Sequence, residues 1–310
     1  RDRNGAWYLQ ADYNYLNKYF VSAGASLETS SRFGRKAGGL DIGGLSWGIF
    51  PTVSAAWLIS SENFMKHQDV VNFLKLRAAY TMAGNDNLPL FAGRTYYTSE
   101  NFSRYATGLV LGNIGNEYLK WETTHRVNVG LDVSLINNRL MLTADYFNSR
   151  TTDLLNRKSL TDVSGLEYYW ANDGSLLNRG FEIGVKVRTV DKKDFKFDIG
   201  ATIGHYKNKI RSLNGGSYIT NVAGGDILTE VGQPLGVFYG YRTDGVFSTA
   251  EEAAKANVVM VNEAGQAIPF GAGDMRFNDK DGNGIINEND RMVIGNPNPD
   301  IYGNFNLNFR

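Results

Sequence analysis

Long stretches of strict period-2 alternation constrain this chain more than any other feature. From Arg126 to Leu135 the odd positions are Val127, Val129, Leu131, Val133 and Leu135. The even positions are Arg126, Asn128, Gly130, Asp132 and Ser134. Successive side chains of a strand point to opposite faces, so this segment separates an apolar medium from a polar one. Phe181, Ile183, Val185 and Val187 repeat the pattern against Glu182, Gly184, Lys186 and Arg188. Phe195, Phe197, Ile199, Ala201 and Ile203 do so against Lys196, Asp198 and Thr202. The alternation predicts strands near 5–15, 19–28, 47–60, 73–83, 119–135, 139–150, 175–190, 195–208 and 302–310. Strands of soluble sandwiches run about 5 to 6 residues, whereas a tilted membrane-spanning strand needs about 9 to 11. The lengths favour an all-β transmembrane antiparallel β-barrel over a sandwich, with Val127, Val129, Leu131, Phe197 and Ile199 facing lipid.

The connectors sharpen this reading. Leu16-Asn17-Lys18, Ile136-Asn137-Asn138 and Asp191-Lys192-Lys193-Asp194 are tight, and 61–72 is moderate, while 29–46, 84–118, 151–174 and 209–301 are long. Outer-membrane barrels have short periplasmic turns and long extracellular loops, which orients the tight turns toward the periplasm. Gly24, Gly130, Gly184, Gly200 and Gly204 fall on the polar faces of their strands. They suit a crowded lumen, a strand bend or simple tolerance of glycine.

Composition agrees. The chain holds 17 Tyr, 17 Phe and 35 Gly but only 6 Pro, so strand formers abound and strand breakers are few. No apolar run is long enough for a transmembrane helix. A mean hydropathy of -0.32 is compatible with a barrel, whose strands need be apolar only at alternate positions. Lys and Arg total 32, as do Asp and Glu, and this balance supplies no field to attract nucleic acid. With no cysteine, disulfides, thiolate metal sites and cysteine nucleophiles are excluded. His67, His125 and His205 are scattered, and no nucleophile elbow, phosphate loop or dinucleotide fingerprint occurs, so the chain does not read as an enzyme.

Several blocks resemble one family in order and spacing. Phe50-Pro51-Thr52-Val53-Ser54-Ala55-Ala56-Trp57 precedes Phe73-Leu74-Lys75-Leu76-Arg77-Ala78-Ala79-Tyr80 and Gly84-Asn85. Leu119-Lys120-Trp121-Glu122-Thr123-Thr124, Asn178-Arg179-Gly180-Phe181-Glu182, Gly232-Gln233-Pro234-Leu235-Gly236, Tyr239-Gly240-Tyr241 and Gly273-Asp274 follow. Together they resemble the SusC/RagA type of TonB-dependent transporter, in its C-terminal barrel part. The resemblance implies a barrel of about 22 strands, of which about nine would lie in residues 1–310, enclosing an N-terminal plug. It also implies an outer-membrane location, energy supplied through the TonB complex, and a SusD-like surface lipoprotein as a lid. The expected cargo is a large nutrient, an oligosaccharide or an oligopeptide. No plug, TonB box or signal peptide is recognisable in 1–310, and the expectation is a longer polypeptide. A passive porin and a surface β-rich binding protein are the alternatives.

Two loop features are candidates for chemistry. Asp279, Asp281, Asn283, Ile285, Asn287 and Asp290 occupy positions 1, 3, 5, 7, 9 and 12 of a twelve-residue calcium loop, with Gly284 at the sharp turn. Alternate side chains at this spacing converge on one cation. Asp290 stands where glutamate is usual, and no amphipathic helices flank the loop, so the segment also reads as an Asx- and Gly-rich turn. Aromatic clusters at Tyr96 and Tyr97 with Phe102 and Tyr105, at Tyr168, Tyr169 and Trp170, and at Phe238, Tyr239 and Tyr241 suit stacking on sugars or contact with a lid. Packing among the loops and an interfacial girdle are the other readings. Thr249 three residues before Glu252 predicts one short capped helix.

Overall fold

The computed structural model describes residues 3–103, 106–160, 165–262 and 264–310. It divides into two compact units, Arg1–Asn214 with Asp300–Arg310, and Gly215–Pro299. Tyr105, singled out with Phe102 in a loop cluster, lies outside the described residues.

The first unit is built on nine long strands. They are β1 (Asn4–Tyr15), β2 (Tyr19–Ser30), β3 (Leu45–Leu58), β4 (Val71–Asn85), β5 (Glu122–Leu135), β6 (Leu140–Thr152), β7 (Ser175–Asp191), β8 (Lys196–Ser212) and β9 (Tyr302–Phe309). All nine were predicted from alternation alone. They pair antiparallel, each with its neighbour in chain order, in one continuous path, and a short strand at Leu40–Ile42 pairs beside β3. Neighbouring strands joined by such simple reversals form a meander, the wall topology of up-and-down barrels.

The register aligns like with like. Val53, Tyr80 and Val127 are opposite one another across β3, β4 and β5. Leu76, Leu131, Ala144, Ile183 and Ile203 form a second apolar row across β4 to β8. On the other face, Arg77 is opposite Gly130, which is opposite Asp145. A slip of one residue in any strand would exchange the two faces, so burial against lipid on one side fixes the register.

At the short-turn end, Leu16 and Asn17 take left-handed backbone, as do Ile136, Asn137 and Asn138. Asparagine tolerates that region well, whereas β-branched Ile136 does not. Its amide is held by the carbonyl of Val70 at 2.9 Å. Tyr19 and Trp57 stack here at 6.3 Å, and Phe197 and Phe309 at 4.6 Å, giving this end the aromatic residues expected where a barrel meets the membrane interface.

Among its described residues the second unit contains strands of two to five residues and one α-helix, α1 (Ala250–Ala256). The predicted cap is present: Thr249 accepts from the amide of Glu252 at 3.1 Å, and Glu252 accepts from Ser248 at 2.8 Å. Asn257 ends the helix in left-handed conformation. Phe247 and Val237, each 1% exposed, form the centre of this unit.

Candidate functional site

The polar face of the sheet carries the first candidate region. Arg77 on β4 donates from Nε to Asp132 on β5 at 2.7 Å and from one terminal nitrogen to Asp145 on β6 at 3.1 Å. The group spans three strands, and Gly130 lies beneath it. A Cβ there would sit 2.4 Å from Asp145 Oδ1 and 2.7 Å from the guanidinium carbon. The same device recurs along this face. Gly184 lies under the Thr143 hydroxyl, Gly200 under Asn306, and Gly204 under the ring of Tyr302. Of the readings of these glycines, crowding on the polar face is the one the structure shows for Gly130, Gly184, Gly200 and Gly204. On β7 and β8, Asp198 accepts from Arg188 at 2.9 Å and Lys186 lies 3.2 Å away. These two clusters on the polar face are thus paired across strands, whereas the opposite face carries exposed Val127, Val129, Leu131, Tyr146, Phe181 and Ile203.

The long connectors of the first unit form the second region. Phe33, Leu88, Leu119 and Trp121 are buried together with Phe50 of β3, and Leu155 and Trp170 pack against them. Phe33 and Trp121 rings lie 4.3 Å apart. Asn172 exchanges two hydrogen bonds with the backbone of Lys120, each 2.8 Å. Asn113 donates to the carbonyls of Ala92 at 3.1 Å and Arg94 at 2.7 Å. Lys36 and Glu117 pair at 2.7 Å, and this cation holds the Glu117 carboxyl below its ordinary range. Three loops that sequence reasoning treated as connectors are therefore one packed cap. Phe50, Leu119 and Trp121, inside quoted family blocks, and the loop-packing reading of Trp170 were its signals in the sequence.

The loop aromatics divide by environment. Trp170 belongs to the cap core, and Arg157 lies 5.1 Å from its ring and 4.5 Å from that of Tyr168. Tyr169 is half-buried on the same hairpin. Tyr96 covers Gly112, while Tyr97 on the Tyr96–Ser103 strand is 65% exposed. In the second unit, Arg291 lies 4.7 Å from the ring of Tyr239 and is ion-paired with Asp226. Tyr241 is 5.7 Å from Phe277, and Phe238 is exposed.

The acidic loop brings three of its six predicted ligands together. Carboxylate oxygens of Asp279, Asp281 and Asp290 lie within 4.8 Å of one another. Asp279 accepts from the amides of Gly284 at 2.7 Å, Gly282 at 2.8 Å and Asn283 at 3.2 Å. These bonds, led by that from Gly284, hold its carboxyl below the ordinary aspartate range. Fully buried Asp290 accepts from the amides of Lys280 at 2.9 Å and Asn287 at 2.8 Å. Asn283 Oδ1 accepts from Ile285 and Asn287 Oδ1 from Asn289, so both amides serve the turn. An all-oxygen donor set of this kind suits a hard cation such as calcium.

Comparison with known proteins agrees with this architecture. Residues 1–286 match the family model described as TonB dependent receptor-like, beta-barrel. TonB-dependent receptor P39 of Formosa agariphila is 32% identical over 97% of this chain and 31% of its own length. TonB-dependent receptor SusC of Bacteroides thetaiotaomicron is 28% identical over 98% of this chain and 30% of its own length. The chain thus spans about a third of the relatives it matches. The structure of the RagAB peptide transporter shares the fold with a TM-score of 0.78 at 20% identity, covering 99% of this chain and 31% of that one. The wall of alternating strands, the resemblance to SusC and RagA, and the family model over residues 1–286 agree: the chain belongs to the TonB-dependent receptor β-barrel family of the bacterial outer membrane.

Proposed function

We propose that the polypeptide to which this wall belongs imports a large nutrient, an oligosaccharide or an oligopeptide, by TonB-dependent active transport. A SusD-like lipoprotein would cover its long-loop end, and the TonB complex would engage a plug elsewhere in the polypeptide. The observation that carries this reading is the nine-strand, two-faced sheet in a chain whose relatives are TonB-dependent receptors. The packed cap of loops supports it, since a rigid rim offers a lid a fixed surface. Exposed Tyr97, Phe238 and Tyr241 are the aromatics best suited to contact cargo or lid. The test uses the intact protein in its native membrane. Uptake should stop when the proton-motive force is collapsed, and a lipoprotein should co-purify. Uptake that persists without energisation would instead support a porin.

The orientation has its own test. Cysteine at His67 or Lys192 should label only from the periplasm, and cysteine at Leu109 or Lys255 only from the cell exterior. Labelling of all four from one side would overturn the topology.

The acidic loop fits a structural calcium site within this reading. Asp279, Asp281 and Asp290 supply charge, and the Ile285 carbonyl, Asn283 and Asn287 complete the predicted set. Asp279→Ala with Asp281→Ala should speed proteolysis near Asn278 without affecting barrel assembly. Identical proteolysis of the wild type in calcium and in chelator would reject the metal and leave a polar turn.

A further inference from the structure

The apolar face of the sheet changes character near the long-loop ends of β6, β7 and β8. The apolar row containing Leu131, Ala144, Ile183 and Ile203 is followed by Val129, Tyr146, Phe181 and His205. The next row runs Val127, Asn148, Arg179 and Lys207, and the one beyond it His125, Arg150, Leu177 and Lys209. Four cations thus occupy the outward face of three adjacent strands, immediately beyond the lipid-facing band. Arg150, Arg179, Lys207 and Lys209 are all exposed.

Their arrangement is costly in isolation. Arg179 and Lys207 are direct cross-strand partners, and like charges directly opposite each other destabilise a sheet. Arg150 is diagonal to Arg179, and Lys209 stands two residues from Lys207 on the same face. Among the described residues, none of the four has a carboxylate at ion-pair distance. The lumen-facing charges of the same strands behave oppositely, since Lys186 and Arg188 share Asp198. His205, at the lower edge of the patch, donates to the carbonyl of Asp300. β6, β7 and β8 are interior to the sheet and paired on both sides, so their backbone polar groups are satisfied within it and only side chains are left to meet a ligand on this face.

We infer that Arg150, Arg179, Lys207 and Lys209 form a binding site on the outside of the barrel for the phosphate-bearing headgroup of an outer-leaflet lipid. Clustered cations at the polar boundary of a membrane attract anionic headgroups, and a phosphate offers several acceptor oxygens to neighbouring side chains. Tyr146 and Phe181, 49% and 42% exposed in the adjoining row, would lie against the start of the acyl chains. A bound phosphate would cancel the repulsion between Arg179 and Lys207. The inference rests on the orientation proposed above, which places the long-loop end in the outer leaflet.

The experiment measures lipid phosphate retained by the intact, detergent-purified protein after transfer from nanodiscs. These contain lipid A either phosphorylated or enzymatically dephosphorylated. Retention should depend on the phosphate, and inorganic phosphate at matched concentration should not displace the lipid. Arg179→Gln with Lys207→Gln should weaken retention by roughly tenfold or more, given about 1 kcal/mol per cation at a charged membrane surface. The charge-conserving pair Arg179→Lys with Lys207→Arg should restore most of it, and Lys192→Gln at the short-turn end should change nothing. Unaltered retention by the fourfold glutamine variant, in a correctly assembled barrel, would overturn the site. Displacement by inorganic phosphate would overturn the lipid as its source. Efficient disulfide cross-linking of Lys207→Cys between two barrels would assign the patch to a second copy instead. Exterior labelling of Lys207→Cys tests the orientation separately, so failure of the site and failure of the topology are distinguishable.

Discussion

The nine-strand sheet and the unit Gly215–Pro299 obey different rules within one chain. The sheet uses strands of 8 to 17 residues, most of its apolar side chains lie on an outer surface, and Arg77, Asp132 and Asp145 pair across strands on the lumenal side. The second unit uses strands of 2 to 5 residues and buries its apolar side chains around Phe247, Val237 and Leu228. An aromatic chain runs from Phe247 to Phe270 at 6.1 Å and on to Phe277 at 5.9 Å. The difference is one of solvent. A wall in lipid needs no apolar interior, since its surroundings accept apolar groups, and every backbone polar group must be paired within the sheet. A unit in water must make its own core and can close its chain with Asx turns and left-handed glycines such as Gly282 and Gly284.

That contrast can be broken at four points. Phe247→Ala should have the largest effect, a loss of about 3 to 5 kcal/mol confined to the second unit. Limited proteolysis should then cut within 215–299 while the barrel keeps its heat-modifiable migration. Loss of both together would show that the two units fold as one. Leu131→Lys comes next, at about 2 to 4 kcal/mol for a cation on the lipid-facing side. Thr202→Lys, on the lumenal face, should be tolerated, as read by the yield of assembled barrel. Asp132 is a worse comparison than its polar position suggests, because a lysine there would face Arg77 in place of a carboxylate.

Gly130→Val should cost about 1 to 3 kcal/mol by driving side-chain atoms into the Arg77 cluster. Gly215→Val, where nothing lies within 4 Å of the added Cβ, should be close to neutral. Equal losses in thermal unfolding would mean that the cluster yields easily. The smallest effect is a pH dependence at the short-turn end. Glu62 accepts from Lys18 at 2.8 Å, the Tyr19 hydroxyl at 2.7 Å and the Trp57 indole at 3.1 Å, and these bonds, led by Lys18, lower its pKa to about 2. A carboxyl depressed on folding contributes stability that is present above its unfolded value of 4.5 and is lost as pH falls through about 2. Trp57 emission should therefore shift between about pH 4.5 and 2 in the wild type, and not in Glu62→Gln.

Alternation made all nine long strands legible, together with the residues that share each apolar face and the tight turns, because each strand reports its two environments every second residue. The helix at Ala250–Ala256 was legible for a similar reason, since its cap is a local contact between Thr249 and Glu252. The acidic loop was legible as a spacing, and the fold brings Asp279, Asp281 and Asp290 within reach of one another. The loop cap was not. Phe33, Leu88 and Trp121 stand in irregular segments without periodicity, and their contact joins residues far apart in the chain.

What the sequence alone determined, then, was the local two-sidedness of each strand, and with it the membrane as solvent and the family. Only the tertiary structure decided which residues become neighbours across strands. It placed Gly130 beneath Arg77, set Arg179 opposite Lys207, and brought the rings of Phe33 and Trp121 to 4.3 Å. The physical reason is that side-chain direction is written into each strand by the pleat, whereas register and loop packing arise from energies shared among distant segments.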